Sequence, residues 1–592
     1  MAASQLSLKP YLTKSSKRPI HNIELTGPFP KPKDYDTLKG YKIPTSTSDG
    51  VERLTEFVKY IASKVNVKNR YTPEQLNEHT EYVEKFVKEL CIGFGMHSPK
   101  DDLSNKGKPN PILQSSNIIR RGSSYEETKI LSPSEYDYIP IFAWSFDAAV
   151  NVEEVGEMCN RAGQGYGFIN IQHGELHQLF SQLRLHLVEN QPGMSGSIDR
   201  SPQISSLETI SALGTIPQSL PGSSKMATTF LAILHLVIEL QQSFAQHGLE
   251  ENQPGMSGSI NRLPQISSPD GTIPQSQPVS SKLTTFFLET LHFAIQHYLS
   301  DSDKYEYIGD KNHHDDPESP YPLGTISLHE GSHGTSVWLR IGAPMCTTDI
   351  DLSFGVENMS DTQRRCVMVG RYLVDCDKCN NRFTHWTESL VHAGLQDDTN
   401  THTLSTNHHY LFLTFKYIKH LIETNFKVKT ISSSYSYKML LHHHQRGCQN
   451  ENVGQCLEDI VDQFLPHEKQ CIDGIETNIY NYNHLKVPDI NYPKRMIKLN
   501  INADECAALL WIMQHVKHTT DTSWWDMLLQ EDLKPDDIKE GDMIHSLLDT
   551  LQQVNNFLRN RDLKKGSVLE VQWLHEDNTK TVYRWIKEWD TD

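Results

Sequence analysis

An internal repeat in the middle of the chain most limits how these 592 residues can fold. ENQPGMSGSIDRSPQISS begins at Glu189, and ENQPGMSGSINRLPQISS begins at Glu251. Each copy continues through a second stretch rich in Ser, Pro and Gly into an apolar segment with helical periodicity. Two copies are too few for a solenoid, and such linkers lack the apolar content to fold alone. We therefore interpret residues 188–282 as a duplicated insertion whose disordered linkers join helices that pack on a host domain.

Hydrophobic periodicity predicts both helices and strands outside this insertion. In residues 51–65 an apolar side chain recurs every third or fourth position, which favours an amphipathic helix. A second helix is predicted to begin after Thr72, because Thr72 can cap it, a proline follows, and Gln75 can complete a capping box. Residues 335–341 and 349–356 are rich in β-forming side chains. With 37% hydrophobic residues the chain can bury a core of class α+β.

Charge and cysteine content limit the partners and the compartment. The 56 basic and 74 acidic residues give a formal charge of −18. That argues against a protein that coats nucleic acid with its whole surface, although a local basic patch is compatible with it. Ten thinly spread cysteines favour a reducing compartment, so we expect a cytoplasmic protein. We see no secretory signal and no apolar stretch long enough to span a bilayer.

The segment GSSYEETKILSPSEYDYIPIF, which begins at Gly122, carries the strongest chemical signal. Glu135 and Asp137 alternate along a strand and so share one face. Carboxylates on a rigid face suit Mg²⁺, and two such ions can activate a hydroxyl and stabilise a leaving pyrophosphate. Gly122 lets backbone amides approach a triphosphate, and Ser123 offers a hydroxyl. An acid-x-acid pair alone is more often an exposed strand face, but the preceding Gly-Ser favours the site.

This segment resembles the nucleotidyltransferase core of cyclic GMP-AMP synthase (cGAS) and the metazoan cGAS-like receptors. That family carries a Gly-Ser motif, then an acid-hydrophobic-acid strand, then a third acid on a later strand. In CTTDIDLSFGVE both Asp349 and Asp351 lie on one strand face, so spacing does not choose between them. The family pattern places the acid ahead of a run like LSFGV, which implies Asp351, with Asp349 as the runner-up. The insertion accounts for most of the long separation between Asp137 and Asp351.

A second stretch of resemblance follows in LTFKYIKHLIE and SSSYSYKMLLHHH. It implies that Lys416 and Ser434 bind triphosphate oxygens and that Tyr435 stacks on a base. The family often has Trp-Arg-x-Ser in its base-recognition strand. Here Ser389 ends the sequence WTES, without the arginine, so the base preference is left open.

The resemblance also bears on zinc. Residues 391–415 contain histidines but no cysteine, so we predict no zinc thumb of the vertebrate cGAS type. We expect residues 442–444, three histidines, and Cys448 to serve packing and the surface rather than a metal.

The resemblance implies a bilobed nucleotidyltransferase fold, with a mixed β-sheet catalytic lobe, its spine helix and a helical C-terminal lobe. We assign the chain to a flexible basic segment (1–48), the catalytic lobe (49–187 and 283–370), the insertion (188–282), the helical lobe (371–490) and an acidic extension of unknown fold (491–592).

The expected activity is synthesis of a cyclic dinucleotide such as cyclic GMP-AMP from ATP and GTP. Glu135, Asp137 and Asp351 would hold two Mg²⁺ or Mn²⁺ ions, and a downstream receptor would read the product in antiviral innate immunity. The implied activator is double-stranded RNA, or DNA, bound beside the spine helix. Its phosphates would meet a set of basic residues, Lys59, Lys64, Lys68 and Arg70, with Lys85 and Lys88 nearby. The alternatives are a linear 2′-5′ oligoadenylate synthetase, a catalytically inactive scaffold and a plain nucleic-acid-binding module.

Overall fold

The computed structural model describes residues 49–96, 114–147, 150–155, 159, 162–171, 277–278, 291–292, 294–314, 320–330, 336–358, 366–370, 385–392, 404–428, 430–464, 467–472, 475–480, 486–489, 492–530, 538–539, 542–560, 562–564, 566–574 and 580–586. The basic segment 1–48 lies outside the described residues. So does the duplicated insertion, apart from residues 277–278.

Three helices open the described chain: α1 (Gly50–Val65), α2 (Val67–Arg70) and α3 (Pro73–Met96). The predicted start of α3 is confirmed by two hydrogen bonds. The Gln75 backbone N–H donates to Thr72 Oγ1 at 3.2 Å, and the Thr72 N–H donates to Gln75 Oε1 at 3.0 Å. This reciprocal pair satisfies backbone donors that the first turn leaves without helical partners.

A large mixed sheet forms the first half of the fold. Its strands are β1 (Ser115–Arg121), β2 (Glu135–Phe142), β3 (Val150–Glu154), β4 (Tyr166–Ile171), β5 (Gln277–Pro278), β6 (Glu306–Lys311), β7 (Thr325–His329), β8 (Ser336–Gly342), β9 (Thr347–Ser353), β10 (Gly355–Asn358), β11 (Cys366–Gly370) and β12 (His385–His392). A short 3₁₀ turn, Ala143–Phe146, follows β2.

The order of neighbouring strands among the described residues is β3-β4-β12-β11-β10-β2-β9-β8-β7-β6, with β1 on β2 and β5 on β4. The central pair, β2 and β9, runs parallel, whereas β8 and β9 form an antiparallel pair. The predicted strands at 335–341 and 349–356 are thereby confirmed, although the second divides into β9 and β10.

Helix α3 covers this sheet and closes the first hydrophobic core. Val83, Phe86, Val87 and Leu90 of α3 lie in one buried cluster with apolar side chains of β2, β7, β8 and β9. The spacing of these four residues is the helical periodicity read from the sequence. His79 fixes the same helix to the sheet, because its Nε2–H donates to the Pro133 carbonyl at 3.0 Å.

Helices dominate the second half of the chain. They are α4 (Thr406–Thr424), α5 (Ser434–Gln445), α6 (Val453–Phe464), α7 (Ala503–His518), α8 (Trp524–Leu528) and α9 (Met543–Arg559). Between and after them lie β13 (His467–Ile472), β14 (Ile475–Tyr480), β15 (Lys486–Pro488), β16 (Met496–Lys498), β17 (Val568–Leu574) and β18 (Lys580–Ile586). Strands β13, β14, β18 and β17 form a four-stranded sheet, and β15 pairs with β16.

The helices share a second hydrophobic core, whose residues come from the start of the described chain, at Leu54, and from its end, at Trp585. Helix α1 contributes its apolar face, with Phe57 packed edge-on against Trp525 at 5.2 Å between ring centroids. The C-terminal stretch 491–592, whose fold the sequence did not reveal, contributes helices α7 to α9 and strands β17 and β18 to this core. Its buried tryptophans among the described residues are Trp511, Trp524, Trp525, Trp573 and Trp585.

These elements define an α+β protein with a sheet core and a helical core. In the part of the chain that the structure describes, no helix has both the length and the apolar composition needed to cross a membrane.

Candidate active site

The three predicted metal-ligating carboxylates meet on the central strand pair. The parallel register of β2 and β9 sets Asp137 opposite Asp351 and Glu135 opposite Asp349. One carboxylate oxygen each from Glu135, Asp137 and Asp351 lies within 4.8 Å of the others. Adjacent parallel strands hold their side chains at fixed spacing, so this carboxylate cluster is built on a rigid base.

The fourth acid, Asp349, is occupied by a different partner. Arg340 on β8 binds it with two hydrogen bonds, Nε to Oδ1 at 2.6 Å and Nη2 to Oδ2 at 3.0 Å. The Arg340 side chain is only 4% exposed. Its buried charge needs the Asp349 carboxylate. The structure thus groups Asp351 with the other two acids and gives Asp349 a structural ion pair.

Burial and mutual repulsion raise the pKa values of two acids of the cluster, Asp137 and Asp351. The pKa of Asp137 is raised to about 6, mainly by burial and next by the negative charge of Glu135. Burial, followed by Asp137, raises the pKa of Asp351 to about 8. Asp351 Oδ1 is buried and accepts no hydrogen bond from the described residues. A buried carboxylate oxygen beside two further acids fits the hard oxygen ligand set of a divalent cation.

The turn at Gly122 lies directly against this cluster. Gly122 has φ +77°, and a Cβ at that position would collide with Asp137 Oδ2. The turn is held by its own backbone, since the Glu126 N–H donates to the Gly122 carbonyl at 3.0 Å and the Thr128 N–H to the Ser123 carbonyl at 3.0 Å. Glycine is required here both for the left-handed backbone and for the close approach of a carboxylate.

Two basic residues that sequence reasoning did not assign to the site border the carboxylates. Lys129 Nζ binds Glu135 Oε2 at 2.7 Å, and the Lys129 side chain is 12% exposed. Arg121 pairs with Asp137 across the β1–β2 ladder and lies close enough to Asp137 and Tyr435 to interact electrostatically with both. Lys129 lies within the motif segment and could have been suspected. Arg121 immediately precedes Gly122, but nothing in its spacing distinguished it.

Helices α4 and α5 bring two lysines, the predicted Lys416 and Lys438, to the same loop. Lys416 Nζ donates to the Thr128 carbonyl at 2.9 Å, and Lys438 forms an ion pair with Glu126. The pKa of Lys416 is lowered to about 8, mainly by burial and next by the positive charge of Lys129. The loop 122–128 is therefore contacted by the sheet carboxylates on one side and by lysines of the helical core on the other.

The N-terminus of α5 presents Ser434 and Tyr435. Ser433 caps the helix by accepting the Ser436 N–H at 3.1 Å, which leaves Ser434 exposed at the first position. Tyr435 is 38% exposed, and its hydroxyl donates to Asp489 Oδ2 at 3.0 Å. An aromatic ring fixed at its hydroxyl and open on its surface can serve as a stacking platform.

An arginine from a distant part of the chain completes this platform. Arg495 Nη2 binds Asp489 Oδ2 at 2.9 Å, and its Nη1 donates to Thr387 Oγ1 at 3.3 Å. Thr387 is the second residue of WTES, and a guanidinium from another segment reaches it. Ser389 lies on the same strand, β12, paired with Val367. No spacing rule connects Arg495 to these residues, which explains why the sequence did not reveal it.

The predicted nucleic-acid-binding set needs a correction. Lys64 is 5% exposed and Arg70 is 2% exposed, so burial removes both from any surface that could meet a phosphate backbone. Lys68 is exposed and binds Glu127 at 2.6 Å, while Lys59 lies 4.0 Å from Glu56. Lys85 and Lys88 are exposed on α3 and remain in the set.

No protein-family model matches this chain, and no curated protein matches it either.

Proposed function

We propose that this chain is a metal-dependent nucleotidyltransferase that joins ATP and GTP into a cyclic dinucleotide such as cyclic GMP-AMP. The observation that carries the proposal is the carboxylate cluster of Glu135, Asp137 and Asp351 against the Gly122 turn. Acids alone occur on many strands, but here a tight glycine turn and half-buried lysines lie beside them. A triphosphate needs all three kinds of group.

In this proposal the bilobed nucleotidyltransferase architecture corresponds to the sheet core and the helical core. Glu135, Asp137 and Asp351 would hold two Mg²⁺ or Mn²⁺ ions. Such ions supply activation of a ribose hydroxyl and neutralise charge on the leaving pyrophosphate. The raised pKa values of Asp137 and Asp351 support this assignment, since both carboxyls gain from a nearby positive charge.

Groups of this chain would position the substrates. Backbone N–H groups of the turn at Gly122 and Ser123 suit phosphate oxygens, because a glycine turn exposes them without a side chain in the way. Lys416, half-buried beside Thr128, would place its charge next to the same phosphates, and Ser434 would offer a hydroxyl. Tyr435, held through Asp489, would stack on a base.

We further propose that double-stranded RNA activates the protein in the cytoplasm and that a separate receptor reads the product in antiviral innate immunity. Exposed lysines on and near the spine helix α3 support this part of the proposal. Lys85 and Lys88 lie one turn apart on α3, and Lys68 is exposed on α2. Such a surface would bind phosphates with a salt-dependent affinity.

The test incubates the purified full chain with all four nucleoside triphosphates and Mn²⁺. Parallel reactions receive double-stranded RNA, double-stranded DNA or neither, and products are separated by chromatography after phosphatase treatment. Because metal ligands supply several kcal/mol of charge stabilisation, we expect Glu135→Ala with Asp137→Ala to lower product formation by about 10³-fold or more.

The matched control is Glu153→Ala with Glu154→Ala, which removes two exposed acids from β3 of the same sheet. This control should keep wild-type activity. A ladder of linear oligomers would show that the activity is 2′-5′ oligoadenylate synthesis and not synthesis of a cyclic dinucleotide. If the wild type forms no nucleotide product in any reaction, the enzyme proposal fails and the scaffold hypothesis takes its place.

A further inference from the structure

Four metal-binding side chains meet away from the carboxylate cluster, among the helices of the second core. His408 lies on α4, His444 on α5, Cys448 on the loop after α5, and Cys456 on α6. One potential ligand atom from each lies within 4.8 Å of the other three. His408, His444 and Cys456 are buried, and Cys448 is half-buried. We call this group the His/Cys cluster.

Two separations in the cluster lie a few tenths of an ångström below those between the ligands of a tetrahedral zinc ion, so small side-chain shifts would admit the ion. His408 Nε2 lies 3.0 Å from His444 Nδ1, and Cys448 Sγ lies 3.5 Å from Cys456 Sγ. Zinc bonds of about 2.0–2.1 Å to nitrogen and about 2.3 Å to sulfur place tetrahedral ligands roughly 3.3–3.8 Å apart. The two cysteines are not joined by a disulfide.

A polar group lies beside the outer nitrogen of each imidazole, at hydrogen-bond distance for His408 and further away for His444. The Nδ1 of His408, the nitrogen that faces away from the cluster, lies 2.7 Å from Ser405 Oγ. The outer nitrogen of His444, Nε2, lies 3.9 Å from Asp459 Oδ2. Asn450 Nδ2 donates to that same carboxylate oxygen at 2.7 Å. Histidine ligands of metals commonly have a hydroxyl or carboxylate partner on the second nitrogen, which fixes the ring and its tautomer.

We propose that His408, His444, Cys448 and Cys456 form a structural zinc site that ties together α4, α5 and α6. Binding forms two Zn–N and two Zn–S bonds, and each thiol releases its proton to solvent. The two thiolates balance the charge of the ion. Four protein ligands close the site, which is the arrangement of a structural rather than a catalytic zinc.

The His/Cys cluster does not lie where a zinc thumb of the cGAS type would lie, so the prediction that this chain has no such thumb is a separate question. A thumb would precede Lys416 and use three cysteines, and residues 393–403, where it would lie, are outside the described residues. The His/Cys cluster instead takes three of its four ligands from residues that follow Tyr435. For His444 and Cys448 the proposal departs from the expectation that residues 442–444 and Cys448 serve packing and the surface.

The location gives the ion a defined role. Helix α4 carries Lys416 two turns after His408, and α5 carries Tyr435 at its opposite end from His444. A zinc ion at the cluster would fix the spacing of these two helices. The inference stands without the proposed enzymatic activity, because it concerns only metal content and stability.

The experiment measures zinc in the full chain by elemental analysis, after removal of any histidine tag and dialysis against a weak chelator. We expect about one zinc per chain, and we expect Cys448→Ser with Cys456→Ser to remove it. The matched control is Cys376→Ser with Cys379→Ser, the other closely spaced cysteine pair in the sequence. A second matched pair compares His444→Gln, which should lose the metal, with His443→Gln, which should keep it.

A loss of zinc could also follow from misfolding of a variant, so cobalt replacement in the wild type provides an independent measurement. Co²⁺ at the cluster should give the visible d–d bands of a tetrahedral site and a thiolate-to-cobalt charge-transfer band. Both should disappear on zinc addition. Zinc removal should lower the melting temperature by several degrees.

Three results would overturn the proposal. One is zinc that persists in Cys448→Ser with Cys456→Ser but is lost with the control pair. The second is an octahedral cobalt spectrum without the charge-transfer band. The third is a Cys448–Cys456 disulfide in protein purified under reducing conditions, shown by mass spectrometry after alkylation.

Discussion

Two clusters of side chains that could bind a metal ion differ in ligand atoms, in support and in access. The carboxylate cluster offers hard oxygen ligands from two neighbouring strands, and Glu135 keeps its side chain 48% exposed. The His/Cys cluster offers nitrogen and sulfur from helix ends and one loop, and three of its four residues are buried. An open oxygen site suits ions that arrive with phosphates, whereas a closed nitrogen and sulfur site suits a permanent ion.

The support of each cluster also differs. Strand register alone fixes the distance between Asp137 and Asp351, because the two strands are hydrogen-bonded neighbours. No backbone ladder joins α4, α5 and α6, so the spacing of His408, His444 and Cys456 depends on how three helices pack. We therefore expect the ion to matter for stability at the helices and for chemistry at the strands.

The largest difference should appear when the two acids of β9, Asp349 and Asp351, are each replaced by asparagine. Asp351→Asn should lower activity by about 10³-fold with little change in stability, since it removes a proposed metal ligand whose buried Oδ1 accepts no hydrogen bond from the described residues. Asp349→Asn should instead lower the free energy of unfolding by about 2–3 kcal/mol, because Arg340 keeps a buried charge. Initial rates and urea unfolding of both variants provide the measurement. If a folded Asp349→Asn variant loses as much activity as Asp351→Asn, the choice of Asp351 over Asp349 as the metal ligand is wrong.

A glycine beside each cluster gives the next comparison. Gly122→Ala should lower activity by about 10²-fold, since a Cβ would collide with Asp137 and displace a ligand by an ångström or more. Gly447→Ala, next to Cys448, should change neither activity nor zinc content, because nothing lies within 4 Å of its added Cβ. Steady-state rates and elemental analysis measure the two readouts. Wild-type activity in Gly122→Ala would show that the turn is not needed.

The pH dependence of Mn²⁺ binding should separate the carboxylate cluster from the nitrogen and sulfur site, because Mn²⁺ prefers carboxylate oxygens. Asp351 has a pKa of about 8, so it is mostly protonated below pH 8 and must lose that proton when the metal binds. The half-saturating Mn²⁺ concentration should therefore fall as pH rises from 6 to 8, by up to about tenfold per pH unit.

Asp351→Asn is the control for this dependence, and it should flatten the pH profile as well as weaken binding. Paramagnetic relaxation of water protons reports bound Mn²⁺ without any need for turnover. A profile of equal slope in wild type and variant would mean that another group releases the proton.

The smallest effect concerns Tyr435. Tyr435→Phe keeps the ring but loses the hydrogen bond to Asp489, and a bond of this kind contributes about 0.5–1.5 kcal/mol. We expect KM for the stacked nucleotide to rise about two- to tenfold with kcat nearly unchanged. Tyr435→Ala, which removes the platform, should raise KM further. If KM is the same in both variants, stacking on this ring contributes nothing to binding.

Sequence patterns predicted those features that depend on neighbours along the chain. The capping box of Thr72 and Gln75, the apolar face of α1, and strands β8 and β9 follow from local hydrogen bonds and periodicity. Glu135 and Asp137 share a face because strand side chains alternate. Spacing alone left Asp349 and Asp351 equivalent, since both lie on one face of the same strand.

Tertiary structure decided the contacts that join distant segments. The pairing of Arg340 with Asp349 separates the two acids, and Arg495 reaches both Asp489 and Thr387 from another segment. Helix α1 packs among C-terminal helices and tryptophans that lie more than four hundred residues later in the chain.

The His/Cys cluster belongs to the same category. The sequence by itself determined which residues could bind a metal, which could cap a helix and which faces could be buried, because those properties depend on side-chain chemistry and local backbone geometry. Only the tertiary structure decided that His408 meets Cys456 and that Asp351 meets Asp137. Such distances are set by the packing of helices and the pairing of strands, and no local spacing encodes them.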